Sequence, residues 1–450
     1  MAARVTTPQR QAFETAAGRL VRELQRDHRV PAVSAAVCRS DREPWALAVG
    51  PGTVDGSDTD TVFRIGSVTK TFTAALVMQA RDAGLLELDD PVSAHLDVPA
   101  HGDATVRQLL SHTAGLQREP YGDVWDTLAM PSSDELLADL ARAEAVLPPG
   151  ARWHYSNLAY AVLGHLAARR LGGTWEEVLT DRLLQPLGLR RTSVTPTGPA
   201  AQGYLVDAYS DVVRPEPHTD FGGLGPAAQL WSTASDMARW AQFLADPDPA
   251  VLRPETVDEM CHPVTVTDPD EWHTGWGLGL LLAPRGERVV HIGHPGAMPG
   301  FLAGVYARRG RGIGAAVLGS SGTAGELTVL PHVLIEASLE HDPPDIAPWT
   351  PGKPPPASLG SVLGRWWSEG FEFVFRWRDG HLEARAADAP ANRPPAVFAV
   401  ESADVLRTVS GREAGEELRL TRDASGRVVA MHWATYRVTR DQETFQTRTH

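Results

Sequence analysis

Between Asp342 and Pro356 the chain carries seven prolines. No single core threads such a stretch, because proline fixes φ and removes the backbone donor that helices and sheets use. At 450 residues the chain is also long for one core. The sequence therefore predicts two domains, residues 1–342 and 359–450, joined by a Pro-rich linker over 343–358.

The two sides of the linker are patterned differently. Beyond it, Phe371–Arg385 alternates aromatic and polar residues around Asp379-Gly380, the signature of a tight hairpin. Glu417–Thr421, the turn Asp423–Gly426 and the run Val428–Val438 repeat that logic, which predicts a small antiparallel barrel or sandwich. Before the linker both periodicities occur. Ala32–Val37 and Pro44–Val49 read as strands, and 68–84 as a helix packed on both sides. Helices also fit 133–145, 157–171, 174–186 and 233–245. Strands return at Gly275–Leu282, Arg288–Ile292, Phe301–Ala307 and Gly312–Gly319, with a last helix over 324–340. This order predicts an α+β sandwich in which the first and last strands of one sheet meet and a helical region is inserted between them.

Charge and composition remove several function classes. With 56 acidic residues against 42 Lys+Arg, the net charge of −14 repels phosphate backbones and anionic headgroups, so neither nucleic acid nor a membrane is an expected partner. Cys38 and Cys261 stand far apart without zinc or disulfide spacing and read as two buried thiols; no metal or cofactor is expected. Gln9–His28, with Phe13, Ala16, Leu20, Val21 and Leu24 at helical spacing among charges, reads as an amphipathic helix rather than a signal peptide. No apolar run is long enough to span a bilayer. The expected location is the cytoplasm.

Three short segments carry chemistry. In Ser67-Val-Thr-Lys70 a helix beginning at Ser67 sets Lys70 one turn on, on the same face, within reach of the hydroxyl. The helix start offers backbone N–H groups to an oxyanion, and burial turns the ammonium into a proton acceptor. In Tyr155-Ser-Asn157, a phenol near an ammonium has its pKa lowered and can carry protons, while the carboxamide can bind an amide carbonyl; Asn157 also suits a helix cap. In His294-Pro-Gly296, expected on a turn, Gly296 lets the backbone approach a substrate closely and Ala297 offers an N–H.

Taken together in this order and spacing, these motifs resemble the penicillin-recognising serine enzymes. The branch is that of class C β-lactamases, esterases, D-amino-acid-specific peptidases and DD-peptidases, and Leu109–Leu116 and Gln185–Leu189 also match it. The resemblance spans roughly residues 10 to 340. It implies a β-lactamase/transpeptidase-like domain in which Ser67 is the nucleophile, Lys70 its base-side partner and Tyr155 the proton shuttle. By the same carry-over Asn157 is an amide-binding group, and His294 orients Tyr155 or the substrate. The N–H groups of Ser67 and Ala297 form the oxyanion hole. His294 stands where β-lactamases usually have lysine, which favours the esterase and peptidase relatives. His112, inside Leu109–Leu116, is expected to hold a helix-loop near the site.

Over its whole length the chain resembles penicillin-binding-protein-type thioesterases, in which such a domain is followed by a small lipocalin-like β-barrel. These enzymes take a peptide thioester from a carrier protein of a nonribosomal peptide synthetase onto the serine. The peptide's own amine then closes a ring, usually with a D-residue at the acylating end. By analogy, Arg437 or Arg440 of the last strand holds the incoming peptide end, and Gly222–Gly225 borders the cleft. The competing readings are a cytoplasmic esterase or D-aminopeptidase that uses water, and a non-catalytic binding protein of the same fold.

Overall fold

The computed structural model describes residues 7–50, 59–286, 288–391 and 393–443; the last residues of the expected small domain, 444–450, lie outside them. Two compact units emerge, Met1–Pro344 and Asp345–His450. Among the described residues no helix is long and apolar enough to cross a membrane.

The first unit opens with helix α1 (Pro8–Asp27), whose Thr7 side chain caps the first turn. Strands β1 (Val33–Arg39) and β2 (Arg42–Val49) follow. A largely helical stretch intervenes, including α2 (Thr69–Asp82), α3 (Asn157–Leu171) and α4 (Ala234–Ala245). The sheet resumes with β3 (Thr265–Val266), β4 (Gly275–Trp276), β5 (Leu281–Pro284), β6 (Val290–Met298), β7 (Phe301–Arg308) and β8 (Ile313–Gly319), and α5 (Leu330–His341) closes the unit. The eight strands form one antiparallel sheet in the order β2-β1-β8-β7-β6-β5-β4-β3. As expected, its first and last long strands meet, Val33 opposite Gly319 and Arg39 opposite Ile313.

Alternation along β8 builds both layers. Ile313, Ala315 and Val317 pack with Phe13, Val21, Leu334 and Ile335 of α1 and α5, whereas Ala316 and Leu318 face the core that holds Phe72 and Trp240. Several elements depart from the sequence expectation for local reasons. Gly275–Leu282 is two short strands, because Gly279 takes a left-handed φ of 84° in the intervening turn. The helix expected from 324 starts at Leu330, where Pro331 fits the first turn. The helix expected over 174–186 is α-helical only through Leu179 and continues as a π turn to Leu184, just before Pro186.

The His-Pro-Gly motif differs most. It lies inside β6, not on a turn, with His294 opposite Val305 and Pro295 opposite Gly304. Past Gly293 that strand is paired with β7 alone, so the missing N–H of Pro295 is tolerated. Here β6 runs against the turn that bears Ser67. A Cβ added to Gly296 would lie 2.0 Å from the Ile65 carbonyl oxygen, and one added to Gly66 2.8 Å from the Ala297 nitrogen.

The second unit is a closed up-and-down barrel of eight strands running in sequence order from Gly364–Ser368 to Tyr436–Thr439. Trp366, Phe375, Phe398, Met431 and Trp433 fill its interior. The Asp379-Gly380 hairpin has positive φ at both residues, 50° and 81°.

One buried polar chain ties α5 to the sheet. Glu336 accepts from Nε2 of His291 (2.9 Å), so the Nδ1 lone pair of His291 accepts from Nδ1 of His332, also at 2.9 Å. Burial lowers the pKa of both imidazoles, that of His332 to about 3. The unfolded chain binds protons near the usual pKa of about 6.5. Stability from this pair is therefore complete above that value and is lost as pH falls toward 3.

Two outcomes follow from this fold. The denaturant midpoint should drop between pH 7 and pH 4, and His291→Gln with His332→Gln should flatten that drop; equal pH dependence in both proteins contradicts the assignment. Gly296→Ala, which leaves no room for its methyl group, should lower Ser67 reactivity about a hundredfold or more. Unchanged labelling of Ser67 in that variant would mean that the close approach is dispensable.

Candidate active site

Ser67 sits in a single 3-10 turn, Gly66–Val68, that feeds directly into α2. Helix α2 is buried on nearly every side, so its rotation is fixed by packing and by its threonines. Thr69 Oγ1 accepts from the Leu230 N–H (3.2 Å), Thr71 Oγ1 from Trp240 Nε1 (2.8 Å), and Thr73 Oγ1 donates to the Pro226 carbonyl (2.7 Å). Lys70, between them, is fully buried.

The Lys70 amine has three partners: Asn157 Oδ1 at 2.7 Å, the Ala227 carbonyl at 2.9 Å and Ser67 Oγ at 3.1 Å. Burial holds its pKa well below the usual lysine range; Glu119 opposes that shift and Arg118 adds to it. A neutral amine has two hydrogens and one lone pair. Both carbonyl oxygens can only accept, so they take the hydrogens. In the neutral form that burial favours, the lone pair is left to the Ser67 hydroxyl.

The Tyr155 phenol neighbours the Ser67 hydroxyl, and its ring centre lies 4.8 Å from Lys70 Nζ. The sequence expectation of a lowered phenol pKa is corrected: burial raises it, and burial also lowers the pKa of the neighbouring lysine, which weakens its pull on a phenolate. Tyr155 is thus a neutral phenol, able to donate a proton and receive one in return. Asn157 is the first residue of α3, but the cap is Ser156, whose hydroxyl accepts from the Ala159 N–H.

His294 is buried on β6 with Nδ1 against the Pro295 carbonyl, and burial lowers its pKa to about 3, with Lys70 adding to the shift. Its ring centre lies 6.2 Å from that of Tyr155 and 5.3 Å from that of Trp276. Among the described residues no hydrogen bond joins it to Tyr155. The contact is packing. His112 stands behind the same tyrosine, ring centres 4.4 Å apart, with Nδ1 accepting from the Ser156 N–H and its carbonyl from the His154 N–H. It therefore fixes the backbone of the second motif.

Gly296 and Ala297 lie against Ile65 and Gly66, so the N–H groups of Ser67 and Ala297 belong to two segments in direct contact. The Gly222–Gly225 segment leads into Ala227, whose carbonyl is a lysine partner. Arg437 and Arg440 belong to the barrel. There the Arg440 guanidinium donates to the carbonyls of Ser361, Leu363 and Arg365 and stacks on Trp366, while Arg437 faces Glu443 at 3.7 Å. Arg440 is thus engaged by its own unit.

Sequence reasoning missed Glu119, whose Oε1 accepts from Asn157 Nδ2 at 2.7 Å, and Arg118, which lies over the Tyr155 ring. Both sit in a loop without periodicity, three and two residues past Leu116, where no motif marks them. Among the described residues the one group with metal-ligand types, Asp268, Glu271 and His273, contains none of the site residues, and two of its members are exposed.

Residues 17–337 match the family model described as Beta-lactamase, and residues 355–440 match a domain of unknown function, DUF7586. Penicillin-binding protein 4 of Amycolatopsis lactamdurans is 32% identical over 377 residues, 77% of this chain and 96% of that protein. The crystal structure of SurE superposes with a TM-score of 0.61 at 28% identity, covering 96% of this chain and 100% of that one; SurE with D-Leu covers the same shares. A D-stereospecific amidohydrolase from Streptomyces sp. superposes with a TM-score of 0.61 at 25% identity, over 70% of this chain and 98% of its own. The chain therefore belongs to the β-lactamase family, the serine hydrolases of the β-lactamase and penicillin-binding-protein fold.

Proposed function

We propose that this protein is a thioesterase that releases a nonribosomal peptide from its carrier protein by closing it head to tail, through an acyl group on Ser67. The observation that carries the acyl-serine part is the buried Lys70 amine, held by two carbonyl oxygens within hydrogen-bond distance of the Ser67 hydroxyl. The peptide part is supported by the likeness to SurE, which spans both units, and by the D-Leu bound in one of those structures.

The chemistry proceeds from that geometry. Ser67 passes its proton to Lys70 as Oγ attacks the thioester carbonyl, and the oxyanion takes hydrogen bonds from the Ser67 and Ala297 N–H groups. Collapse expels the carrier thiolate, which regains the proton from Lys70 directly or through Tyr155. The peptide's terminal amine then attacks the ester, and its proton returns to Ser67 by the same route. Burial favours the neutral forms of Tyr155, His294 and Lys70 around the nucleophile. That state suits an incoming amine, which must itself be neutral to react. On this reading the partner is a carrier domain and the site of action the cytoplasm.

Choice of lysine at position 70 supports the base role independently. The chain has only two lysines, Lys70 and Lys353, among 42 Lys+Arg residues. Arginine, used nearly everywhere else for charge, cannot give up its proton.

Lys70→Arg and Lys70→Ala should each cost at least about a hundredfold in acylation rate, and Tyr155→Phe a similar factor. Near-normal turnover in the tyrosine variant would require another proton path. A linear peptidyl thioester ending in a D-residue should give mainly the cyclic product. Mainly linear acid across several such substrates would mean that water is the acceptor, as in a hydrolase related to the D-stereospecific amidohydrolase.

A further inference from the structure

We propose that Glu119 is a positioning residue that fixes the Asn157 carboxamide in one orientation and thereby keeps the Lys70 lone pair free for Ser67. The inference deepens the acyl-serine reading and rests on it, but it does not depend on whether an amine or water takes the acyl group.

A carboxamide has two ends of nearly equal shape, and Asn157 stands between two partners at the same distance. Glu119 Oε1 lies 2.7 Å from one end and Lys70 Nζ 2.7 Å from the other. An ionised carboxylate only accepts, so Glu119 draws the NH2 end toward itself and turns the oxygen toward the lysine. The reverse orientation would set the carboxamide oxygen against the carboxylate. It would also point an N–H at Lys70 Nζ and occupy the lone pair that the serine needs. In the observed orientation the lysine spends its hydrogens on Asn157 Oδ1 and the Ala227 carbonyl. Four groups therefore form one directed chain: Glu119, Asn157, Lys70, Ser67.

Glu119 is built into this place. Arg118 Nε lies 3.4 Å from the same Oε1, and Oε2 is buried without a partner among the described residues. An unpaired carboxylate oxygen is costly to bury. Its retention beside the lysine implies a task that a neutral side chain of the same shape would do only in part. The carboxylate also favours the protonated form of Lys70. It thus holds the pH below which the base is lost higher than a neutral residue would.

The two effects separate in substitution. Glu119→Gln can still accept from Asn157 but carries no charge; Glu119→Ala does neither. The probe is a fluorophosphonate, whose reaction with Ser67 reads the proton transfer to Lys70 without reference to any peptide acceptor. Glu119→Ala should lower the maximal labelling rate about tenfold or more with little change in the half-saturating concentration. Glu119→Gln should recover most of that rate, with its acid limb displaced to lower pH relative to the parent protein. The proposal is overturned if the alanine variant labels like the parent. It is equally overturned if the loss falls on half-saturation alone, which would make Glu119 a substrate contact, or if the glutamine variant keeps the parent's acid limb. Thermal melting of each variant identifies any that fails to fold, and the glutamine variant then carries the test alone. Failure of labelling in the parent protein itself would instead count against the acyl-serine reading.

Discussion

Two carbonyl oxygens, one from Asn157 and one from Ala227, take the hydrogens of a buried amine and so decide where its lone pair points. Everything around Lys70 serves that constraint. The amine must be out of water, or it would hold its proton; the fully buried side chain meets this condition. Its helix must not rotate, and Thr69, Thr71 and Thr73 pin it by hydrogen bonds to Leu230, Trp240 and Pro226. The serine one turn earlier inherits an amine that is aimed at it and whose pKa burial lowers.

A second constraint is steric. The oxyanion donors come from a turn before α2 and from β6, segments more than two hundred residues apart in sequence, and they meet only because Gly66 and Gly296 have no side chains. The sheet makes that meeting possible. β1 and β8 close the sheet in sequence space, α4 of the helical insert packs across β1, β8 and β7, and β6 extends past its pairing with β5 to reach the serine turn. Aromatic rings then replace water around the site: Tyr155 packs against His112 and His294, and Trp276 against both histidines. Both imidazoles are kept neutral by burial, so they shape the site without adding charge.

The sequence made much of this legible. The prolines after Asp342 separate two patterns, and the alternation along β8 and the Asp379-Gly380 hairpin reads directly into sheet and barrel. Ser67, Lys70, Tyr155, Asn157 and His294 come together because each motif is short and local enough to recognise. What escaped was set by tertiary contact. That His294 lies in a strand depends on β6 losing its second neighbour, which no local signal reports. The neutral state of Tyr155 depends on burial among residues from four distant segments. Glu119 matters through an amide on another element, and Ala227 through a carbonyl that every residue possesses.

Because the chain contains only Lys70 and Lys353, the protonation of the proposed base can be read almost without overlap. With 13C- or 15N-labelled lysine, NMR gives two side-chain signals, and the one missing from Lys70→Arg belongs to the site. This account predicts that signal to be in the neutral-amine form at pH 8 and to become ionised only at lower pH. A Lys70 signal still fully ionised at pH 9 would contradict it, because the Ser67 hydroxyl would then face an ammonium with no lone pair to receive its proton.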